Sequence, residues 1–164
     1  MFSVGYGFKK RETRIRELLD EEPSTSVILA AVHFEWSIKR SILMLGHSPT
    51  AELRKKLEDT WALSSNETDK AGRLTIKGLW KSEISEQIRN AAIGKVVANF
   101  PKCIEKAKSA RGKVIHGNGT VSKATASEAV DEYLSAACKI YEFSHRHGVE
   151  LDSRLKPRRK RRRG

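Results

Sequence analysis

The sequence predicts an all-α fold, a small bundle of about five to six helices followed by a disordered basic C-terminal tail. Three observations carry that expectation. Apolar residues recur at helical intervals, strand-like alternation is absent, and glycine and proline mostly fall between the helical patterns. At 164 residues the chain suits one domain with a single core. The expected division is a helical domain over residues 1–151 and a tail over 152–164.

A first amphipathic helix is expected from Lys9 to Glu22, with Ile15, Leu18 and Leu19 on one side. Pro23 and the Ser/Thr cluster behind it supply a stop and a new start. From Val27 to Leu45 the residues are apolar nearly all round, which describes a central buried helix, and Gly46 ends it. A shorter helix over Thr50–Leu63 carries Leu53, Leu57 and Trp61 at fourfold spacing, and Ser64–Arg73 reads as an exposed loop. Ile76, Trp80, Ile84, Ile88 and Ala92 recur every four residues, predicting a helix between Leu79 and Phe100. Pro101 suits the first position of the next helix, which extends to His116 and closes at Gly117-Asn118-Gly119. Thr125-Ala-Ser-Glu128 has the form of a capping box opening a final helix to His147, with Val130, Leu134, Ala137 and Tyr141 inward. Trp36, Trp61 and Trp80 fall on apolar patterns and are expected in the core.

Charge is unevenly placed. Of the formal +12, residues 154–164 supply eight positive side chains and no acid, which leaves +4 for the rest of the chain. Arg158, Arg159, Lys160, Arg161, Arg162 and Arg163 therefore form an RNA-binding candidate that attracts polyanions through salt-sensitive contacts. A solvated solubilising tail and a nuclear address are the other readings. No window approaches the roughly 18 apolar residues of a membrane span. Met1–Phe8 lacks the pattern of a secretory signal, so a cytoplasmic protein is expected.

Cys103 and Cys138 are too few for a disulfide framework and lack metal-ligand spacing. His145-Arg-His147 and His33 have no cysteine or carboxylate spaced to complete a metal site. Phosphate-binding glycine loops, serine nucleophile motifs and paired catalytic acids are absent from the sequence. Neither a metal nor a cofactor is expected.

The most informative stretch is Ala110-Arg-Gly-Lys-Val-Ile-His-Gly117. At ~100° per residue, Ile104, Ala107, Ala110, Val114 and Ile115 define an apolar arc, and Arg111 lies inside it. Lys102, Lys106, Ser109 and Lys113 take the opposite side. An inward arginine carries a desolvation cost unless it has a partner or lines a cleft. The bland alternative for Arg111 is a structural pair with a core carboxylate, Glu35 on the otherwise apolar second helix being the candidate. His116 lies about 140° from Arg111 on an ideal helix. The two converge only if the helix end unwinds at Gly117 or if two copies of the helix meet. The bland alternative for His116 is a cap on the negative end of the helix dipole.

Arg111-x4-His116, late in a small all-helical chain and followed by Gly117, resembles the Arg-x4–6-His signature of HEPN-domain ribonucleases. The resemblance covers the helical body, roughly residues 10–147. Gly112 stands where that family commonly has Asn, Asp or His, and Asn118 where some toxins of the family carry Tyr. The resemblance implies catalysis by Arg111 and His116; Glu35, Lys113 and Asn118 are supporting candidates from their position beside them. It further implies a homodimer with a composite site, RNA as substrate, and a neutralising or regulatory protein partner. Histidine, with an unperturbed pKa of about 6.5, can take the proton of a ribose 2′-hydroxyl or protonate the departing 5′-oxygen. Arginine stabilises the charge that builds on the phosphoryl oxygens. The expectation is a metal-independent endoribonuclease acting as a toxin or antiviral defence effector. The alternatives are a non-catalytic helical module that binds RNA or protein, and a purely structural helical subunit.

Overall fold

The computed structural model describes residues 7–59, 66–98, 100–117 and 119–160. Its helices are α1 (Phe8–Glu21), α2 (Pro23–Leu45), α3 (Thr50–Asp59), α4 (Ile76–Trp80), α5 (Ile93–Val96), α6 (Phe100–Ile115) and α7 (Lys123–Arg146), with a π-helical turn at Lys81–Ser85. Among the described residues there is no strand, only an isolated antiparallel bridge between Thr68 and Leu74. The fold is a small all-α bundle.

Helices α2 and α7, of 23 and 24 residues, form the centre. They pack most extensively on each other, and α1 and α6 lie against both. Ala30 and Ala31 on α2 and Ala126, Ala129, Ala136 and Ala137 on α7 are all buried. Small side chains at a crossing let two helices approach closely. Phe34, Ile38 and Ile42 from one side and Val130, Leu134 and Ile140 from the other fill the space around them. Phe34 also meets Tyr133 of α7 and Phe100 of α6 at tilted angles, with centroids 5.5 and 6.4 Å away. Within the seam the Ser41 and Ser144 hydroxyls hydrogen bond to each other at 2.9 Å, which offsets the cost of burying both. Ser26 ties α1 to α2 by donating to the Ile15 carbonyl at 2.6 Å.

Several boundaries differ from the sequence expectation. Helix α2 begins at Pro23 itself, because the first turn of a helix needs no proline N–H. Helix α7 begins at Lys123, capped by Ser122, whose hydroxyl accepts from the Thr125 N–H. The cap thus lies one turn before the expected Thr125 box. In α3, Leu53 and Leu57 are buried as expected, while Trp61 lies outside the described residues.

The largest departure lies between Ile76 and Phe100. Ile76, Trp80 and Ile84 are buried at fourfold spacing, but no continuous helix follows. The π turn adds a residue, its Glu86 N–H reaching back to the Lys81 carbonyl at 3.1 Å. Asn90 then adopts φ +58°, in the left-handed region. Beyond it, Ala91 and Ile93 enter the core, and Ala92 is exposed. The Trp80 indole N–H holds this bend by donating to the Ala91 carbonyl at 2.7 Å.

After α7 the chain lies against the bundle as far as Lys160. Leu151 is buried, Asp152 pairs with Arg11, and Arg158 is fixed at the α2–α3 junction. Arg161, Arg162 and Arg163 lie outside the described residues.

Trp80 anchors both the core and the Ala91 bend, so Trp80→Ala should lower unfolding free energy by about 3–5 kcal/mol. Urea denaturation measures this; an unchanged midpoint would remove Trp80 from the core.

Candidate active site

Arg111 projects from α6 toward α2, where its Nη1 donates to Glu35 Oε1 at 2.7 Å. The expected partner is therefore the observed one. The Arg111 side chain keeps 29 % of its surface exposed and that of Glu35 14 %. Burial pushes the Glu35 carboxyl up, and attraction from Arg111 and Lys39 only partly offsets it. Tyr133 of α7 stands beside the pair, its phenol pushed up to about 12 by burial. Its hydroxyl and the Arg111 Nε are both buried without a hydrogen-bond partner. Glu35 thus orients the guanidinium without satisfying all of it.

His116 follows the last residue of α6 and is exposed. Its N–H still bonds to the Gly112 carbonyl at 3.0 Å, so the helical turn persists up to this residue. Gly117 then turns the chain at φ +65°, a conformation that costs glycine nothing. Within one chain Arg111 faces the α2 seam while His116 faces solvent. The helix end does not unwind enough to merge the two environments. Lys113 is exposed, and Asn118 lies outside the described residues. A Cβ added at Gly112 meets nothing within 4 Å, so packing does not require glycine there.

One expectation on this helix fails. Ile115 belongs to the apolar arc by angle but is 52 % exposed. An ideal helical wheel gives direction and cannot say where the neighbouring helices stop. Ile104, Ala107 and Ala110 are buried as expected.

A second polar centre was missed in the sequence. Arg11 of α1 is buried and donates to both the Tyr141 hydroxyl and Asp152. The signal was available: Arg11, Ile15 and Leu19 share the fourfold stripe of α1, as Arg111 shares the arc of α6. Around Arg11 gather Phe8, His33, Trp36 and Tyr141, with ring centroids 4.7 to 6.4 Å apart. Trp36 is not a core residue. It is 38 % exposed and lies near the guanidinium groups of Arg11, at 5.2 Å, and Arg40, at 5.9 Å. Cation–π attraction explains how it stays at the edge.

Burial pushes the His33 imidazole down to about 4, with repulsion from Arg11 adding to it and Asp152 opposing. His145 pairs with Glu150, and His147 Nδ1 lies 2.8 Å from the Phe143 carbonyl. Among the described residues no cluster of the metal-binding type occurs. Cys103 and Cys138 are free and half-buried. The Cys103 thiol is pushed up to about 11, mainly by burial and by the Glu132 carboxylate that accepts its hydrogen bond. Such a thiol is unreactive.

In the tail, Arg158 Nε donates to the Ser48 carbonyl at 3.1 Å and Nη1 to the Met44 carbonyl at 3.3 Å. Its backbone pairs with Thr50 in both directions. Glu83, nearly buried, closes the same junction by accepting from the N–H groups of His47 and Ser48 and from the Ser48 hydroxyl. Burial alone would raise its carboxyl, but these bonds and the nearby His47 hold it below the usual range. Arg159 and Lys160 remain exposed. No helix among the described residues is long and apolar enough to cross a membrane.

Comparison of the chain with protein-family models, curated proteins and solved structures finds no match.

Two outcomes follow from this geometry. Glu35→Ala should destabilise the fold by about 1–3 kcal/mol, less than a fully buried broken pair because Arg111 retains some solvent. In a double-mutant cycle, adding Arg111→Ala should cost less than its separate effect; full additivity would deny the coupling. His33 is held neutral in the fold, so stability should fall as pH drops from about 6.5 to about 4, by about 3 kcal/mol in total. His33→Phe should flatten that part of the stability profile, and an unchanged slope would assign it to other groups.

Proposed function

We propose that this chain is a HEPN-like, metal-independent endoribonuclease that works as a homodimer, the α6 ends of two copies sharing one cleft. The observation that supports this reading is the layout of α6. A half-buried arginine, oriented by Glu35, is followed by an exposed histidine, with the large exposed Ile115 beside it. Ile115 offers apolar surface for a second copy. A second α6 supplies the convergence that one helix cannot.

In the shared cleft His116 of one copy takes the proton from a ribose 2′-hydroxyl. The freed oxygen attacks the adjacent phosphorus, and the bond to the 5′-oxygen breaks. His116 of the other copy delivers a proton to that leaving oxygen. The products are a 2′,3′-cyclic phosphate and a 5′-hydroxyl. Arg111 stabilises the phosphoryl oxygens as their charge grows. Glu35 acts through Arg111 as a positioning residue, and Lys113 adds positive charge near the helix end. An enzyme of this kind suits a toxin or defence effector in the cytoplasm, restrained by a neutralising or regulatory protein.

A non-catalytic helical module that binds RNA or protein is the second reading. The Arg111–Glu35 pair favours it, since the carboxylate gives the arginine a structural role without any substrate.

Incubation of labelled RNA with EDTA-treated protein tests the proposal. Cleavage should persist and leave 2′,3′-cyclic phosphate ends, and His116→Ala should slow it by about a hundredfold or more. Equal cleavage by His116→Ala, or of DNA at a similar rate, would overturn the mechanism. Light scattering tests the shared cleft, which a fully active strict monomer would exclude.

A further inference from the structure

The docked tail and the start of α3 enclose a groove that the candidate active site does not use. Its cavity is about 380 Å³, within the range of small-ligand and nucleotide sites. Arg54, Arg158, Arg159 and Lys160 supply positive charge around it, Glu52 is its one carboxylate, and Pro49, Ala51 and Pro157 give it an apolar lining. We propose that this groove seats the backbone of single-stranded RNA, with Arg54, Arg159 and Lys160 holding its phosphates. The choice of RNA among polyanions rests on the endoribonuclease reading; the groove itself does not.

The role of Arg158 makes the site a built one. Its guanidinium Nε and Nη1 are committed to the Ser48 and Met44 carbonyls, its Nη2 is buried without a hydrogen-bond partner, and its backbone N–H and carbonyl go to Thr50. Arg158 therefore fixes the tail as a wall rather than contacting the strand. Arg159 and Lys160 follow it directly, are exposed, and line the same groove as Arg54. Lys160 meets Glu52 at 3.4 Å, but both side chains are open to solvent. Such a pair is weak and yields to a phosphate.

Charge and shape select the ligand. A membrane surface calls for large apolar side chains beside the cations, yet the large exposed ones among the described residues, Val32, Trp36, Leu74 and Ile115, lie outside the groove. An extended acidic peptide would look for free backbone groups, but the Thr50 N–H is taken by the Arg158 carbonyl and the Arg158 N–H by the Thr50 hydroxyl. A polynucleotide needs only the cations and an apolar wall for sugar and base. Glu35 and the end of α2 at Leu45 are ten positions apart, about 15 Å along that helix, and the groove lies at the junction beyond that end. It would hold a strand at a distance from the cleavage cleft.

Fluorescence anisotropy of a short labelled oligouridine with full-length His116→Ala protein measures binding without cleavage. Arg54→Glu in that background should weaken binding about tenfold, the worth of one charge-assisted contact. It should also reduce the slope of log affinity against log salt by about one. Lys9→Glu, an equal charge change at an exposed site on α1, should leave affinity within about twofold. Equal losses from the two variants would show diffuse attraction and overturn the groove. Displacement of the RNA by polyglutamate at equal charge would assign the groove to acidic peptides and overturn it as well. Arg54-dependent binding together with intact RNA in the cleavage assay would uphold the groove while removing the nuclease.

Discussion

Helix α2 is apolar nearly all round and is covered along most of its surface, Val32 and Trp36 marking the strip left open. The need to cover it organises the molecule. Helices α1, α6 and α7 pack along it, and α3, α4 and the π turn close its far end. The alanines of α2 and α7 set how near the two central helices come, and the Ser41–Ser144 bond makes their polar interruption tolerable. Glu35 is the costly exception on this helix. A carboxylate in that position is disfavoured by desolvation, and Arg111 from α6 supplies the compensating charge. The candidate site is in this sense a consequence of the core.

The two inward arginines show how the same local pattern leads to different outcomes. Arg11 is 8 % exposed and closed in by Tyr141, Asp152 and a ring of aromatic side chains. It joins the first helix to the chain beyond the last one. Arg111 is more open and holds one carboxylate. A guanidinium that is oriented yet still reached by solvent is better suited to meeting an incoming anion than one sealed by its neighbours.

The long elements were legible because many residues vote for one period. Helices α2, α6 and α7 follow the apolar pattern over most of their length; the inward placement of Arg111 could be reasoned from angles, and its pairing with Glu35 from that carboxylate's place on an otherwise apolar helix. The segment after Ile88 was not legible: Ile88 still packs against the core, but the left-handed turn at Asn90 breaks the series and leaves Ala92 exposed. Trp36 misled because periodicity cannot distinguish a ring in the core from one held at the edge by arginines. Ser122 and Thr125 lie one turn apart, and either can cap a helix; sequence alone does not rank them. In the tail, composition reveals the charge but not that Arg158 is the residue whose geometry fits the carbonyls of Met44 and Ser48.

The Arg158 contacts also bear on the order in which the molecule is completed. The carbonyl at the end of α2 that Arg158 caps lies 114 residues earlier in the chain. During vectorial synthesis α2 emerges from the ribosome long before its last turn can receive that partner. The Ser41–Ser144 seam joins residues 103 apart, so both long closures wait for α7, and the Arg158 contacts, made by chain beyond α7, follow it. The α2–α3 junction should therefore be among the last parts to lock, leaving a nascent intermediate whose central helices are in place while one end is still open.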